Sequence, residues 1–410
     1  MRHEEQVRVL QLLMQHLDAK TTVDAGCQVR NPILSYTSPE IAQQEWRAFF
    51  QDYPHVLGLS GDLPKHGSFF TNSDLGKPIL CTRDMTGRFR AFLNVCRHRG
   101  AVVEKAERGR KKKFSCPFHS WTYASNGDLL SVPMEDHFGA VQKECNSLVA
   151  LPAIERYGLL WVCPEPNSTF DLDGLLLDDL LGDLSDELAN WDLGSCHRFD
   201  ATSYKHATNW KFANDTYGET YHVPTLHRAT LAMNFYGNVQ TSDTYKRNHR
   251  MTLCLHSIDK MRGTPTSTWN VLRGAIPIYY IFPNIQLLLT TGGPILIRIY
   301  PEQGDPNNSR SEVSWYAFSD ETYQDIGISE DEQNATFSLA DRMAAFAAVI
   351  DAEDHVIAAS NQIGALSGAQ DHLIFGRNEP ALHHFHSTFR KALGQQPLET
   401  LESPISSAAE

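Results

Sequence analysis

The hydrophobic positions change period along the chain. Val7, Leu10, Leu13, Met14 and Leu17 recur at helical spacing, which predicts a helix over residues 4–19 with one apolar face. From Trp46 to about Pro166 the segments become short and strand-like: Pro78–Thr82, Phe89–Asn94, Lys113–Cys116 and Leu159–Cys163. Turn signals such as Asn126-Gly127-Asp128 separate them, as expected of a small all-β domain. Residues 167–192 are acidic and leucine-rich and read as a linker followed by a short amphipathic helix. Beyond about residue 197 strands and helices mix. Residues 311–318 alternate as a strand, 330–364 read as a long helix, and Glu379–Leu393 as a second helix. The expected fold class is α+β: an antiparallel sheet backed by helices, behind a separate β domain. The expected divisions are an N-terminal helical arm (1–44), the β domain (45–166) and the mixed domain (167–410).

No charge falls between Arg273 and Arg298, but Pro277, Pro283, Pro294, Asn284, Gln286 and Gly292-Gly293 interrupt the run. It is expected to form two or three buried strands rather than a membrane span. Composition is ordinary for a globular protein, at 41% hydrophobic and 21% charged residues. A net charge of −13 argues against nucleic acid as a partner, since phosphate contacts need a basic field. The N-terminus carries acids at positions 4 and 5 and lacks the pattern of a secretion signal. Eight cysteines are too few for a disulfide scaffold, so reduced thiols and a cytoplasmic setting are expected.

Two groups of residues carry candidate chemistry. Cys96-Arg97-His98 is followed, after seventeen intervening residues, by Cys116-Pro117-Phe118-His119. Thiolate and imidazole are good ligands for late first-row metals. A structural zinc site and a [2Fe–2S] cluster with two His on one iron both fit. Zinc fingers usually pair like with like, whereas each loop here supplies one Cys and one His, which favours the dinuclear cluster. The other cysteines, 27, 81, 145, 163, 196 and 254, show no partner spacing.

The second group lies in Asn209-Trp210-Lys211 through Arg228. His222 and His227 are five residues apart, which on a straight helix leaves them on different faces, and Pro224 is expected to break the helix and let them meet. A carboxylate would complete a two-His, one-carboxylate iron site with open positions. Asp351-Ala352-Glu353-Asp354-His355, flanked by apolar residues, offers it.

The flanks Asn94–Gly100 and Cys116–Tyr123, followed by the 209–228 segment, closely resemble the α (terminal oxygenase) subunit of Rieske non-haem iron oxygenases, the aromatic ring-hydroxylating superfamily. The resemblance covers roughly Trp46 to Leu393. It implies a Rieske [2Fe–2S] domain held by Cys96, His98, Cys116 and His119, and a helix-grip (START-like) catalytic domain. It implies a mononuclear non-haem Fe(II) on His222, His227 and Asp354, the last counted eight residues back from Gln362, with Glu353 as the alternative. It places at Glu219 the acid that couples the iron to the cluster of a neighbouring subunit, and puts Asp215, where many relatives have Asn, near the iron as an acceptor. Two departures stand out: Ser120 occupies a usual glycine position, and Glu219 replaces the commoner Asp, a choice similar to the quaternary-ammonium oxygenases.

The implied activity is hydroxylation of an organic, aromatic or apolar substrate with O₂. Electrons would come from NAD(P)H through a separate ferredoxin or flavin reductase, since no G-x-G-x-x-G fingerprint is present. The implied assembly is a head-to-tail homotrimer in which Glu219 meets His98 or, preferably, His119 of another chain. Oxidative N- or O-demethylation is the alternative within the family, and a zinc-stabilised ligand-binding protein the alternative outside it. The basic run Arg108–Lys113 is a candidate docking strip for an acidic redox partner. Met233, Phe235, Tyr236, Phe282, Leu287 and Leu289 are expected to line the pocket, and His383, His384 and His386 to face solvent.

Overall fold

The computed structural model describes residues 1–168, 170, 172, 174–329 and 339–401. These divide into two compact units: a β unit of residues 46–179 and 192–199, and a mixed unit of residues 1–45, 180–191 and 200–410.

The β unit contains a five-stranded sheet in the order Ala150–Leu151, Phe89–Leu93, Ile79–Arg83, Ser68–Asn72, Arg108–Arg110. Two three-stranded sheets complete it, one of them the meander Lys113–Ser115, Thr122–Ala124, Leu129–Ser131. Phe69, Leu80, Phe92, Phe114, Trp121 and Tyr123 form its core, with Cys96 and Cys116 buried among them. The unit runs past the expected boundary at 166. The reason is local: Arg156 donates to both carboxylate oxygens of Asp178 at 2.5 and 3.1 Å, and Phe170 packs edge-on to Tyr53. Residues 167–192 hold two short helices, Gly174–Leu181 and Leu184–Ala189, where one was expected.

The mixed unit is built on a seven-stranded sheet. Its order is His197–His206, Asp305–Ala317, Gly293–Glu302, Ile285–Thr290, Ala275–Ile281, Asn248–Leu255, Phe235–Tyr245. From Asp305–Ala317 to Phe235–Tyr245 each neighbouring pair is antiparallel. The uncharged run after Arg273 thus supplies three adjacent strands, whose near-continuous burial explains its lack of charge. No helix among the described residues is long and apolar enough to cross a membrane.

The N-terminal helix, His3–Ala19, belongs to this unit rather than forming a separate arm. It buries Val9, Leu10, Leu13 and Met14, and Arg8 reaches Asp243 on the edge strand at 2.7 Å. The expected helix over 330–364 is helical from Leu339, interrupted by one π turn, Ile350–Asp354, and continued as His355–Leu366; residues 330–338 lie outside the described residues. The last helix, Pro380–Ala392, sets Phe385 against Tyr280 and Phe389 against Phe282.

The helix Trp210–Asp215 starts from Asn209, whose side chain caps it by accepting from the Lys211 amide. Lys211 and Glu45 are almost wholly buried and pair at 2.6 and 2.7 Å, with the Trp210 indole donating to the same carboxylate. A buried charge that loses its partner is strongly destabilising. Glu45→Ala is therefore expected to lower the stability of the mixed unit by about 3–5 kcal/mol. Urea unfolding followed by tryptophan fluorescence checks this, and the paired change Glu45→Leu with Lys211→Met should recover most of the loss.

Candidate metal centres

In the β unit, two loops carry the Cys and His residues and close with the same hydrogen bonds. The Cys96 amide donates to the Ala101 carbonyl and the Gly100 amide to the Cys96 carbonyl. The Cys116 amide donates to Trp121 and the Ser120 amide to Cys116 in the same way. The residue four after each Cys takes the left-handed conformation, Gly100 at φ +78° and Ser120 at φ +58°. Glycine adopts this at no steric cost, whereas Ser120 is strained.

The loops bring the imidazoles of His98 and His119 to 4.6 Å between centroids. His98 stacks on Trp121, and Phe138 stands edge-on to both. The Tyr123 hydroxyl lies 3.3 Å from Cys96 Sγ and accepts from the Arg97 amide. His98 Nδ1 is buried with no hydrogen-bond partner. Such an orphaned nitrogen, beside two buried thiols and a second imidazole, is the donor set a two-Cys, two-His cluster needs.

In the mixed unit, Pro224 does not break a helix; it starts one. Val223–Leu226 is a single helical turn with His222 before it and His227 after it, and Pro224 sits where its missing N–H costs nothing. One turn between the two histidines brings both Nε2 atoms to 3.2 Å. Asp354, at the end of the π turn, places Oδ1 3.3 Å from His227 Nε2 and 3.7 Å from His222 Nε2. These three residues offer ligand atoms within 4.8 Å of one another. π turns recur at functional sites because the extra residue re-aims a side chain.

Glu353 is not in this set. Its carboxylate accepts from Nδ1 of His227 at 2.5 Å and from the Thr230 hydroxyl at 2.9 Å. Glu219 plays the matching part for His222, pairing with Nδ1 and accepting from the His222 amide. With both Nδ1 atoms engaged, both Nε2 atoms face Asp354, the arrangement a divalent metal requires. Burial disfavours the His227 imidazolium, but Asp354 and Glu353 outweigh it and raise its pKa.

Asp215 lies farther back. It accepts from the Tyr36 hydroxyl at 2.6 Å and pairs with His386 Nε2 at 2.9 Å, so its direct partners are these rather than the triad. His386 is buried, contrary to its expected exposure, because Asp215, Tyr36 and Asn31 surround it. Asp215, Glu219, His222 and Asp354 line a cavity of about 610 Å³ with Glu379, whose pKa burial pushes up to about 6.

A second cavity, about 140 Å³, lies against the triad and is walled by Tyr217, Phe235, Met251, Ile278, Leu288 and Phe346, among others. Of the residues expected there, Phe235 lines it. Met233 is exposed, Tyr236 bonds Asp259, and Phe282 packs on the last helix. Leu287 and Leu289 point to the opposite face, because successive strand residues alternate and Leu288 takes the cavity side. Tyr217 and Phe346 escaped sequence reading, though Phe346, Ile350 and Asp354 recur every four residues along the helix.

Two family models match: a Rieske [2Fe-2S] domain over residues 54–151, and the catalytic domain of a ring-hydroxylating alpha subunit over residues 193–395. The chain is 32% identical over 217 residues to the large oxygenase component of the 2,4-dinitrotoluene dioxygenase system of Burkholderia sp. (strain RASC), a match of 48% of this chain and 44% of that protein. It is 32% identical over 198 residues to the biphenyl 2,3-dioxygenase subunit alpha of Rhodococcus jostii (strain RHA1), 46% of this chain and 41% of that one. The matched stretch thus spans less than half the length of these relatives. Among solved structures, a quaternary ammonium Rieske monooxygenase in complex with L-carnitine superposes with TM-score 0.72 at 20% identity, covering 91% of this chain and 97% of that one. Naphthalene 1,2-dioxygenase with indole bound superposes with TM-score 0.68 at 19% identity, covering 92% and 94%. At these identities the superpositions speak for the fold.

Two outcomes follow from the geometry. Asp354→Ala is expected to abolish mononuclear iron, while Glu353→Ala keeps the ligand set but weakens metal binding about 10–100-fold. Iron counts and Co(II) titration separate the two, and iron retained by the Asp354 variant would shift the ligand role to Glu353. Ser120→Gly relieves a left-handed serine and is expected to stabilise the β unit by about 1 kcal/mol, read by thermal unfolding.

Proposed function

The chain belongs to the Rieske oxygenases by its two matched domains, a Rieske [2Fe-2S] domain ahead of a ring-hydroxylating α-subunit catalytic domain, and on that footing we propose that it is a terminal oxygenase that hydroxylates an aromatic or apolar substrate. The observation that carries this reading is the triad of His222, His227 and Asp354 opening onto an apolar cavity of about 140 Å³. Iron bound there would supply O₂ activation, fed by electrons from the cluster domain.

The chain's own residues prepare that chemistry. Glu219 and Glu353 hold the Nδ1 protons of the two histidines and fix the tautomer that leaves both Nε2 lone pairs free. The hydrophobic wall keeps water from the reacting face and orients a substrate carbon toward the triad. Cys96, Cys116, His98 and His119 would hold the cluster, with the Tyr123 hydroxyl, which accepts from the Arg97 amide, beside the Cys96 sulfur to tune its potential.

Electrons would come from NAD(P)H through a separate ferredoxin or flavin reductase. The basic strip is partly neutralised within the chain, since Arg108 pairs with Asp62 and Lys111 with Glu104. The exposed Lys112 and Lys113 carry its docking role. The proposed assembly is a head-to-tail homotrimer, in which Glu219 links His222 of one copy to His119 of the next. Glu219 in place of the commoner Asp is similar to the quaternary-ammonium oxygenases, and that resemblance favours an assembly of α subunits alone, the arrangement that also suits the second reading, oxidation of a quaternary ammonium or demethylation.

The purified protein reduced with dithionite is expected to show a Rieske EPR signal, about two sulfides and three irons per chain, and the light-scattering mass of a trimer. Glu219→Ala should leave the cluster signal intact and cut substrate turnover at least tenfold. A colourless zinc protein without labile sulfide would overturn the oxygenase reading.

A further inference from the structure

Two buried polar groups beside the triad lack the partners they need. The first is the Tyr217 hydroxyl, whose oxygen is buried with no hydrogen-bond partner. The second is Oδ2 of Asp354. Oδ1 of that carboxylate faces His227 Nε2 at 3.3 Å and His222 Nε2 at 3.7 Å, while Oδ2 has no hydrogen-bond partner among the described residues. A hydroxyl can donate and a carboxylate oxygen can accept, and both residues line the cavity of about 140 Å³. A buried polar group without a partner costs stability, so an unmade pair of this kind calls for an explanation.

The backbone fixes where Tyr217 can go. It follows the Trp210–Asp215 helix, whose end closes with the Tyr217 amide donating to Asn214 and the Gly218 amide to Asp215. A Cβ on Gly218 would lie 2.3 Å from Leu382 Cδ2, so this turn packs directly against the last helix. Asp354 is fixed in its turn by its place at the end of the π turn. Burial holds the Tyr217 phenol well above its ordinary pKa, and the Asp354 carboxylate pushes in the same direction, so the group stays a protonated donor. With the hydroxyl sealed from solvent, water cannot serve as its acceptor.

We infer that Tyr217 is a positioning residue for Asp354: when a divalent cation draws Oδ1 into the ligand set of His222, His227 and Asp354, the Tyr217 hydroxyl donates to Oδ2. The carboxylate then holds the metal by one oxygen. An oxygen committed to a hydroxyl does not take a second place on the metal, so the positions for O₂ and substrate stay open. In the metal-free chain the pair is unmade and the hydroxyl is a net cost. This rests on the mononuclear metal site of the oxygenase reading and deepens it. The carboxylate ligand gains an outer partner of its own, beside those that Glu219 and Glu353 give the histidines.

Tyr217→Phe keeps the ring and deletes the hydroxyl. Co(II) titration and thermal unfolding of the full chain, cleared of mononuclear iron by chelation with its cluster retained, test the inference. The variant is expected to bind Co(II) about tenfold or more weakly than the parent. Its metal-free form is expected to melt about 2–4 °C higher, because an unpaired buried hydroxyl is gone. The opposite signs separate a positioning role from a purely structural one, which would lower both. The visible Co(II) band should also weaken in the variant, since a freed Oδ2 can join the metal and a higher coordination number weakens that absorption. Equal Co(II) affinity of parent and variant, or a metal-free variant that melts lower or does not fold, overturns this inference alone. A parent that binds no Co(II) overturns the metal site with it. A missing Rieske EPR signal on the same sample defeats the oxygenase reading, while the affinity ratio still judges Tyr217.

Discussion

Each imidazole of the triad is gripped from behind by a carboxylate, and much of the mixed unit serves that grip. Glu219 takes Nδ1 of His222 and Glu353 takes Nδ1 of His227, which forces both Nε2 atoms toward Asp354. Three carboxylates around two imidazoles concentrate negative charge in a site where Asp354 and His227 are buried. Burying charge is costly without a counter-charge. His222, His227 and Asp354 would hold a divalent cation, whose charge would offset that cost.

The grip needs two segments more than a hundred residues apart to meet in register. The Trp210–Asp215 helix is anchored by the Lys211–Glu45 pair and by the Asn209 amide donating to Gln362 on the far helix. Gln362 also donates to Asn307, tying that helix to the sheet. The π turn then sets neighbouring residues to separate tasks, Glu353 behind His227 and Asp354 in front of it. A continuous α-helix, as the sequence pattern suggests for this stretch, has no such local widening.

These features were unequally legible in the sequence. The Cys/His loops and the His222, His227 pair can be found from spacing because metal chemistry restricts both residue type and interval. The choice between Glu353 and Asp354 depends on the π turn, which leaves no periodic trace. The cavity wall depends on strand parity: Leu287, Leu288 and Leu289 are chemically alike, and only the pairing of Leu288 with Ile278 decides which one faces the triad. His386 appears solvent-facing in a run of three histidines, yet Asp215, some 170 residues away in sequence, holds it in the interior. The helical arm looked separate because its partner, the strand Phe235–Tyr245, lies far along the chain.

The two cluster loops show how one backbone design accommodates different ligand spacings. Each loop closes with an amide at the Cys and an amide four residues later, although His98 follows Cys96 by two positions and His119 follows Cys116 by three. Identical turns with the His shifted by one residue aim the two imidazoles from different directions, which is why their planes meet at 63° rather than stacking. Two imidazoles that would share one iron are better served by converging than by parallel rings. The closing turn needs a left-handed residue in both loops, and Gly100 meets it freely. Ser120 meets it at a steric cost that the buried core around Trp121 and Tyr123 must outweigh, so the second loop holds its shape by tertiary packing where the first can hold it by backbone preference alone.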